Sequence, residues 1–270
     1  MRHFTLPLLA IGLPALALAA SPTYTVVDLG TSPGLEWAPV PPMVANSAAT
    51  IGSLGGGITY IYQHTSDASV GASATGSVDC VGNEVFHAFL FVSGKMQDLG
   101  GFNPACDSAA LSLNASDVVV GWANKDIGVS DVDAHGGRKT AFVWRNGTMQ
   151  ELQSLLVPAP GENADIEEAE NISSANGINN AGEIVGETAQ LLTTGAIAPR
   201  AVVWENGAAA KPVELQFRLG TLSHTLIFTN AVGINCQGDI AVTGYPQNHS
   251  PTDVHAYLLI RQGTQRSCPE

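Results

Sequence analysis

The chain has 270 residues, 24 of them acidic and 11 basic, for a formal charge of −13, and only 13% of residues are charged. A surface of that sign repels phosphate backbones and anionic lipid, which makes nucleic acid and membranes poor partners. With 29 glycines and abundant Ser, Thr, Asn and Ala, the composition suits short strands joined by many turns, and helix signals are weak throughout.

Residues 1–20 read as a secretory signal: a basic start at Arg2 and His3, an apolar run from Phe4 to Leu16, and small residues for the peptidase at Ala17 and Ala19. The run is interrupted by Pro14 and falls short of the ~18 residues a spanning helix needs. The expectation is a secreted or periplasmic protein without membrane insertion, in which residues 21–270 form a single monomeric domain of about 250 residues.

The exported part opens with YTVVDLG, Tyr24 to Gly30, which looks like the return strand of a hairpin with nothing upstream to pair with. Next comes Gly30-Thr31-Ser32-Pro33-Gly34, the only G-x-S-x-G in the chain. A nucleophile elbow places the N–H of the residue after the serine in the oxyanion hole, and Pro33 has none, so the stretch is read as a loop.

An apolar hairpin then recurs four times: HAFLFVSGKMQDLG from His87, TAFVWRNGTMQEL from Thr140, RAVVWENGAAAKPVEL from Arg200 and HAYLLIRQG from His255. Ala88, Ala141, Ala201 and Ala256 stand in register, at separations of 53, 60 and 55 residues. Both faces of the first strand are apolar, as in a strand covered on two sides. Its turn is Ser93-Gly94, Asn146-Gly147, Asn206-Gly207 or Gln262-Gly263, and Asn-Gly favours a type I′ hairpin because both central residues need positive φ. The return strand closes on Asp98-Leu99, Glu151-Leu152 and Glu214-Leu215, and after Gly263 no return strand remains.

A second hairpin alternates with the first, as SLNASDVVVG to Gly121, GINNAGEIVG to Gly186 and GINCQGDIAVTG to Gly244, with a degraded copy YQHTSDASVG to Gly71. Each unit therefore holds two hairpins, or four strands. Pairing Tyr24–Leu29 with His255–Ile260 lets the two termini complete one unit between them. The fold class expected is all-β, a propeller-like ring of about four four-stranded units closed by its terminal strands. The hairpins lie near 87–99, 140–152, 200–215 and 255–263, with 24–29 completing the last. The stretch from Gly30 to Gly71 is long enough for a further hairpin pair, which leaves the number of units open by one.

The pairing of HAFLF…G.M.DLG with IN..GEIVG is similar to the HAF-repeat family of extracellular repeat proteins, named for the triplet that stands here at His87, Ala88 and Phe89. Thr140 and Arg200 replace the His in other copies, and the family's DLGTLGG follow-on survives only in pieces, such as Asp98-Leu99-Gly100-Gly101. The resemblance implies export and a repeat fold. Some members carry a polyester-depolymerase label, but the family has no settled activity.

Four cysteines in an exported chain are read as two disulfides, Cys80–Cys106 across the first hairpin and Cys236–Cys268 at the C-terminal tail, chosen from three possible pairings. Neither the C-x-x-C spacing of a redox centre nor a zinc pattern is present. The best metal candidate is Asp131, Asp133 and His135 in a Gly-rich run, where calcium is possible chemistry. Twelve positions from Asp131 stands Phe142 where an EF-hand needs Glu, so a solvated turn is preferred and no other cofactor is expected. The acidic run from Gly161 to Glu170 is read as an exposed loop.

His87 and His255 occupy one repeat position and are read as structural hydrogen-bonding groups, and Asp98, Glu151 and Glu214 as architectural carboxylates. The four units differ most in Thr31–Tyr60, Gly101–Ala110, Gln153–Asn176 and Gln216–Thr229, segments that in repeat folds emerge on one binding face. Trp37, Leu155, Leu156 and Phe217 are the candidate contacts there, with core packing as the competing reading. Asn114, Asn146, Asn171 and Asn248 begin glycosylation sequons. The function expected is a non-enzymatic scaffold that presents this face to an extracellular partner or polymer. The alternative is a secreted polyester- or glycan-degrading hydrolase with catalytic residues drawn from different units.

Overall fold

The structure is a computed structural model that describes residues 22–31, 53–55, 57–79, 82–125, 139–155, 173–205, 211–263 and 268. The signal segment 1–20 and most of Gly30–Gly71 before Ser53 lie outside them. The fold is all-β, with four four-stranded antiparallel sheets and, among the described residues, only two short 3-10 turns, Leu215–Arg218 and Gly220–Leu222.

Sheet 1 runs β2 (Thr59–His64), β3 (Ala68–Val78), β4 (Glu84–Val92), β5 (Lys95–Gly100). Sheet 2 runs β6 (Ser108–Leu113), β7 (Val119–Asn124), β8 (Lys139–Arg145), β9 (Thr148–Glu151). Sheet 3 runs β10 (Ser173–Ile178), β11 (Ile184–Leu191), β12 (Ile197–Trp204), β13 (Val213–Glu214). Sheet 4 runs β14 (Leu226–Ile234), β15 (Ile240–Pro246), β16 (His255–Arg261), and its fourth strand is the N-terminal β1 (Tyr24–Gly30). The register runs from Tyr24 opposite Arg261 to Gly30 opposite Ala256, the terminal pairing that the orphan YTVVDLG required.

The two apolar faces of the strands now have a cause. Val119, Phe142 and Trp144 pack with Val70, Leu90 and Leu99 of sheet 1, whereas their alternate neighbours Val120, Ala141 and Val143 pack with Ile178, Ile184 and Val202 of sheet 3. Ala201, Val203 and Val185 continue the alternation into sheet 4, against Phe228, Val242 and Tyr257. Successive side chains of a strand point to opposite faces, so each inner sheet feeds one core on each side. Burying a Val, Leu or Phe side chain contributes ~1.5–3 kcal/mol, and these three clusters carry most of the fold.

The hairpin turns follow the dipeptides. Ser93 and Gly94 have φ of 52° and 76°, and Asn146 and Gly147 of 51° and 81°, the positive pair a type I′ turn demands. Cys236 is disulfide-bonded to Cys268 with a Cα–Cα separation of 5.5 Å, which pins the tail beyond β16. Cys106 is buried, but Cys80 lies outside the described residues, and the Cys80–Cys106 pairing with it. Among the described residues no helix is long and apolar enough to cross a membrane.

One regularity was not read from the sequence. Each first strand carries a bulge, at Ile61/Gln63, Ala110/Ser112, Ala175/Gly177 and Ala231/Gly233, where two residues oppose one. The glycines that end the second hairpin motif lie against these first strands. A Cβ on Gly71, Gly121, Gly186 or Gly244 would sit 1.8, 2.0, 1.9 or 2.2 Å from the carbonyl oxygen of Tyr60, Ala109, Ser174 or Ile227.

Candidate functional site

The turns that join the first and second strand of every sheet converge on one cavity of ≈ 420 Å³. It is lined by Thr65 to Ala68 of sheet 1, Asn114, Ala115 and Asp117 of sheet 2, Asn179 and Asn180 of sheet 3, and Cys236 of sheet 4. Each turn is built by its first residue. Asn114 Oδ1 accepts the N–H groups of Ser116 and Val118 at 3.0 and 3.2 Å, and Asn179 Oδ1 those of Ala181 and Glu183 at 3.1 Å. Asn235 Oδ1 accepts the Asp239 N–H at 2.8 Å, and in the shorter first copy Thr65 Oγ1 accepts that of Ala68 at 3.0 Å. Asn and Thr do this because a short polar side chain can mimic a backbone turn. The left-handed position of the turn is held by Gly182 and Gly238, and in sheet 2 by Asp117 at φ 54°.

The same amides tie neighbouring sheets together. The Gln63 amide bonds both the N–H and the carbonyl of Leu113, at 2.8 and 3.3 Å. Asn114 Nδ2 donates to the Asn179 carbonyl at 3.2 Å, and Asn179 Nδ2 donates to that of Asn235 at 3.3 Å. Two of these three sheet boundaries are thus stitched by one repeated turn asparagine and the third by Gln63, which explains the recurrence of the asparagine without any chemistry.

The histidines of the repeat are also spent. His87 Nδ1 lies 3.0 and 3.1 Å from the two Asp98 oxygens and its Nε2 3.2 Å from the Pro104 carbonyl. His255 Nδ1 lies 3.0 Å from both oxygens of Asp28, and its Nε2 faces Asp253 at 3.6 Å. A ring with acceptors at both nitrogens is an imidazolium donor. Burial works against the charged His87, but hydrogen bonding to Asp98, the Asp98 charge and the Pro104 carbonyl outweigh it and raise its pKa; His255 is raised chiefly by its bond to Asp28. Neither ring has a free nitrogen for general base work. The other carboxylates at the Asp98 position are engaged too: Glu151 with Lys125 at 2.6 Å, and Glu214 with Arg200 at 3.8 Å and with Gln190.

A pH test follows from this pair. His87 is raised above its ordinary 6.5, so its stabilisation is complete below that value and is lost as pH rises through the raised one. Asp98 is lowered, burial being outweighed by His87 and the Gly100 N–H, so its share holds above its ordinary 3.8 and is lost as pH falls through the lowered value. His87→Gln should therefore cost most near pH 5, about 1 kcal/mol once half-exposed Asp98 is discounted for solvent screening. Urea unfolding at pH 5 and pH 9 checks it; an equal loss at both would remove the charge from the explanation.

The nearest approach to a nucleophile pair is His64 Nδ1 with Ser69 Oγ at 2.8 Å. Ser69 is 1% exposed, so a substrate carbonyl cannot reach it, and no carboxylate bonds to His64 among the described residues. A triad needs both.

Of the candidate contacts, Leu155 packs against the core shared by sheets 2 and 3, as the packing reading holds, while Phe217 is 55% exposed. Trp37, Leu156, Asp131, Asp133 and His135 lie outside the described residues. No group of three His, Cys, Asp or Glu able to hold a metal occurs among the described residues.

Glu187 of β11 is a buried carboxylate that sequence reasoning missed. Its Oε2 is buried without a hydrogen bond, and burial pushes its pKa up to about 7, partly offset by Lys139, whose ammonium lies 4.6 Å above the Trp122 ring. The signal was present: in Gly-Trp, Gly-Glu and Gly-Tyr at 121–122, 186–187 and 244–245, a carboxylate stands where other copies carry an aromatic.

Residues 92–216, from the end of β4 through the first residues after β13, match a family described as "Protein of unknown function (DUF3466)". No curated protein and no solved structure matches the chain. The similarity to that family thus spans the return strand of sheet 1, all of sheet 2 and all four strands of sheet 3.

Proposed function

We propose that the chain is an exported, non-enzymatic repeat scaffold of the HAF type, a ring of four sheets that binds an extracellular partner or polymer with its loop end. The observation that carries this reading is where exposed apolar side chains stand. Among the described residues these are Val27, Leu29, Ile58, Val78, Leu191, Phe217 and Leu222. All but Val27 sit at the strand ends opposite the cavity: Leu29, Ile58, Phe217 and Leu222 where the variable segments leave one sheet for the next, Val78 and Leu191 at hairpins within sheets 1 and 3. The turn end carries none of them. Apolar groups gathered at one end of an otherwise polar surface favour docking there. The disulfide fits an oxidising compartment.

Among the described residues His64–Ser69 is the one His–Ser hydrogen bond, and the buried serine argues against its use by a hydrolase. The test is retention of the protein on insoluble polymers, cellulose, chitin and polyhydroxybutyrate, with Phe217→Ser/Leu222→Ser as the comparison. Binding to one polymer that falls about tenfold in the double variant, with no soluble product released, is expected. Product release abolished by Ser69→Ala would establish the hydrolase instead, and equal retention of wild type and variant would remove the loop end as the binding surface.

A further inference from the structure

We propose that the cavity at the turn end is a separate binding site for an alkylammonium group, that is, a protonated amine on an aliphatic stem. It lies opposite the loop end, so it does not depend on the reading above. Its ≈ 420 Å³ falls within the ~300–1,000 Å³ of small-molecule sites. Its inner wall is aliphatic, formed by Leu113, Ile178 and Ile234 at the ends of three first strands.

The ligand class comes from counting which lining groups are still free to bind. The amides of Gln63, Asn114 and Asn179 are spent on turns and neighbouring sheets, as is the Thr65 hydroxyl. Asn180 Oδ1 accepts the Ala115 N–H at 2.8 Å. Beside the neutral Asn180 Nδ2 donor, two carboxylates remain as the charged groups: Asp67, which takes only the hydroxyl of its neighbour Ser66 on one oxygen, and Asp117. No Lys, Arg or His lines the cavity, and Arg261 of sheet 4 is held by Glu183 at 2.7 Å. What the walls still offer is acceptor oxygens bearing negative charge, above an aliphatic surface.

An anion is repelled by such walls, and a neutral ligand leaves both carboxylates without a counter-charge. A calcium ion takes six to eight oxygens, and the lining supplies two free carboxylates beside hydrocarbon. An ammonium satisfies the carboxylates while its stem covers Leu113, Ile178 and Ile234. A free amine and the lysine side chain of a partner protein share this chemistry.

The test is a titration of the ¹⁵N-labelled protein, followed by amide shifts, with n-pentylammonium, 1-pentanol, Nα-acetyl-lysine amide and calcium as probes. Expected are saturable shifts at Asp67, Ala115, Asp117 and Asn180 with the ammonium, at least tenfold weaker with pentanol. Asp67→Asn/Asp117→Asn should weaken the ammonium about tenfold, the sum of two partly exposed ion pairs, at an unchanged melting temperature. Tighter binding of the lysine amide than of pentylammonium assigns a partner's lysine, and the reverse a free amine; either supports the site. Absence of saturation, equal binding of pentanol, an unaffected double variant, or calcium saturating the same amides at lower concentration than the amine would each overturn it.

Discussion

Replacing Gly121 or Gly186 by Ala is expected to cost about 3 kcal/mol or more, measured as the fall in unfolding free energy in urea. Neither residue is required for a positive φ. The reason is contact: the added Cβ would fall 2.0 or 1.9 Å from a backbone carbonyl oxygen of the adjoining first strand. A side chain could turn away, but a carbonyl fixed by the bulge at Ala110/Ser112 or Ala175/Gly177 cannot. Gly233 supplies the control, because it lies in β14 with nothing within 4 Å of an added Cβ. Gly233→Ala should leave stability unchanged or raise it slightly, since Ala reduces the freedom of the unfolded chain. If both substitutions cost the same, the contact at the bulge is not the cause.

The second large effect concerns Glu187. Its pKa rises from an ordinary 4.5 to about 7 on folding, so the native state holds the proton more tightly than the unfolded chain does. The stabilisation is complete below 4.5 and is lost as pH climbs through about 7, an amount of about 3 kcal/mol at 1.36 kcal/mol per unit. Glu187→Gln should reduce the difference in stability between pH 4 and pH 8 by about that much. The pH slope is the readout, because the Gln amide brings its own buried donors and shifts the stability at both pH values alike. Lys139→Met should steepen the wild-type slope, by removing the cation that holds the shift down. A slope unchanged by Glu187→Gln would mean the carboxyl is solvated in the native state.

Most of this architecture was legible because the repeat spells it. Alternation of Val119 with Val120, and of Ala141 with Phe142, records that sheet 2 lies between two others, and an unpaired YTVVDLG asked for His255–Ile260. The hydrogen bonds of His87 to Asp98 and of His255 to Asp28 follow the same logic, since a group fixed by the repeat serves what the units share. The turn-end cavity was hidden for the opposite reason. Asp67 and Asp117 were visible as equivalent turn residues, but only the structure shows that turns from all four sheets meet, and that the asparagines between them are already committed. The glycine contacts were equally silent: Gly121 ends a motif in sequence, but its partner, the Ala109 carbonyl, is apparent only once β6 carries its bulge.

Joining β1 to β16 also dictates the timing of assembly. Among the described strands β1 is made first, and its only partner in the sheet is the last. The two are separated by nearly the whole chain, so their pairing carries the largest loop-closure entropy in the molecule and contributes the slowest class of contact. Sheets 1 to 3 can form from local hairpins while the chain is still emerging, whereas β14–β16 must wait for an edge that has been available from the start. During that interval β16 presents an unpaired edge, able to accept the β1 of another molecule. A high local concentration of chains therefore favours exchange of that strand between copies, and a circular permutant that links residue 270 to residue 22, keeping the Cys236–Cys268 bridge, should fold faster and exchange less.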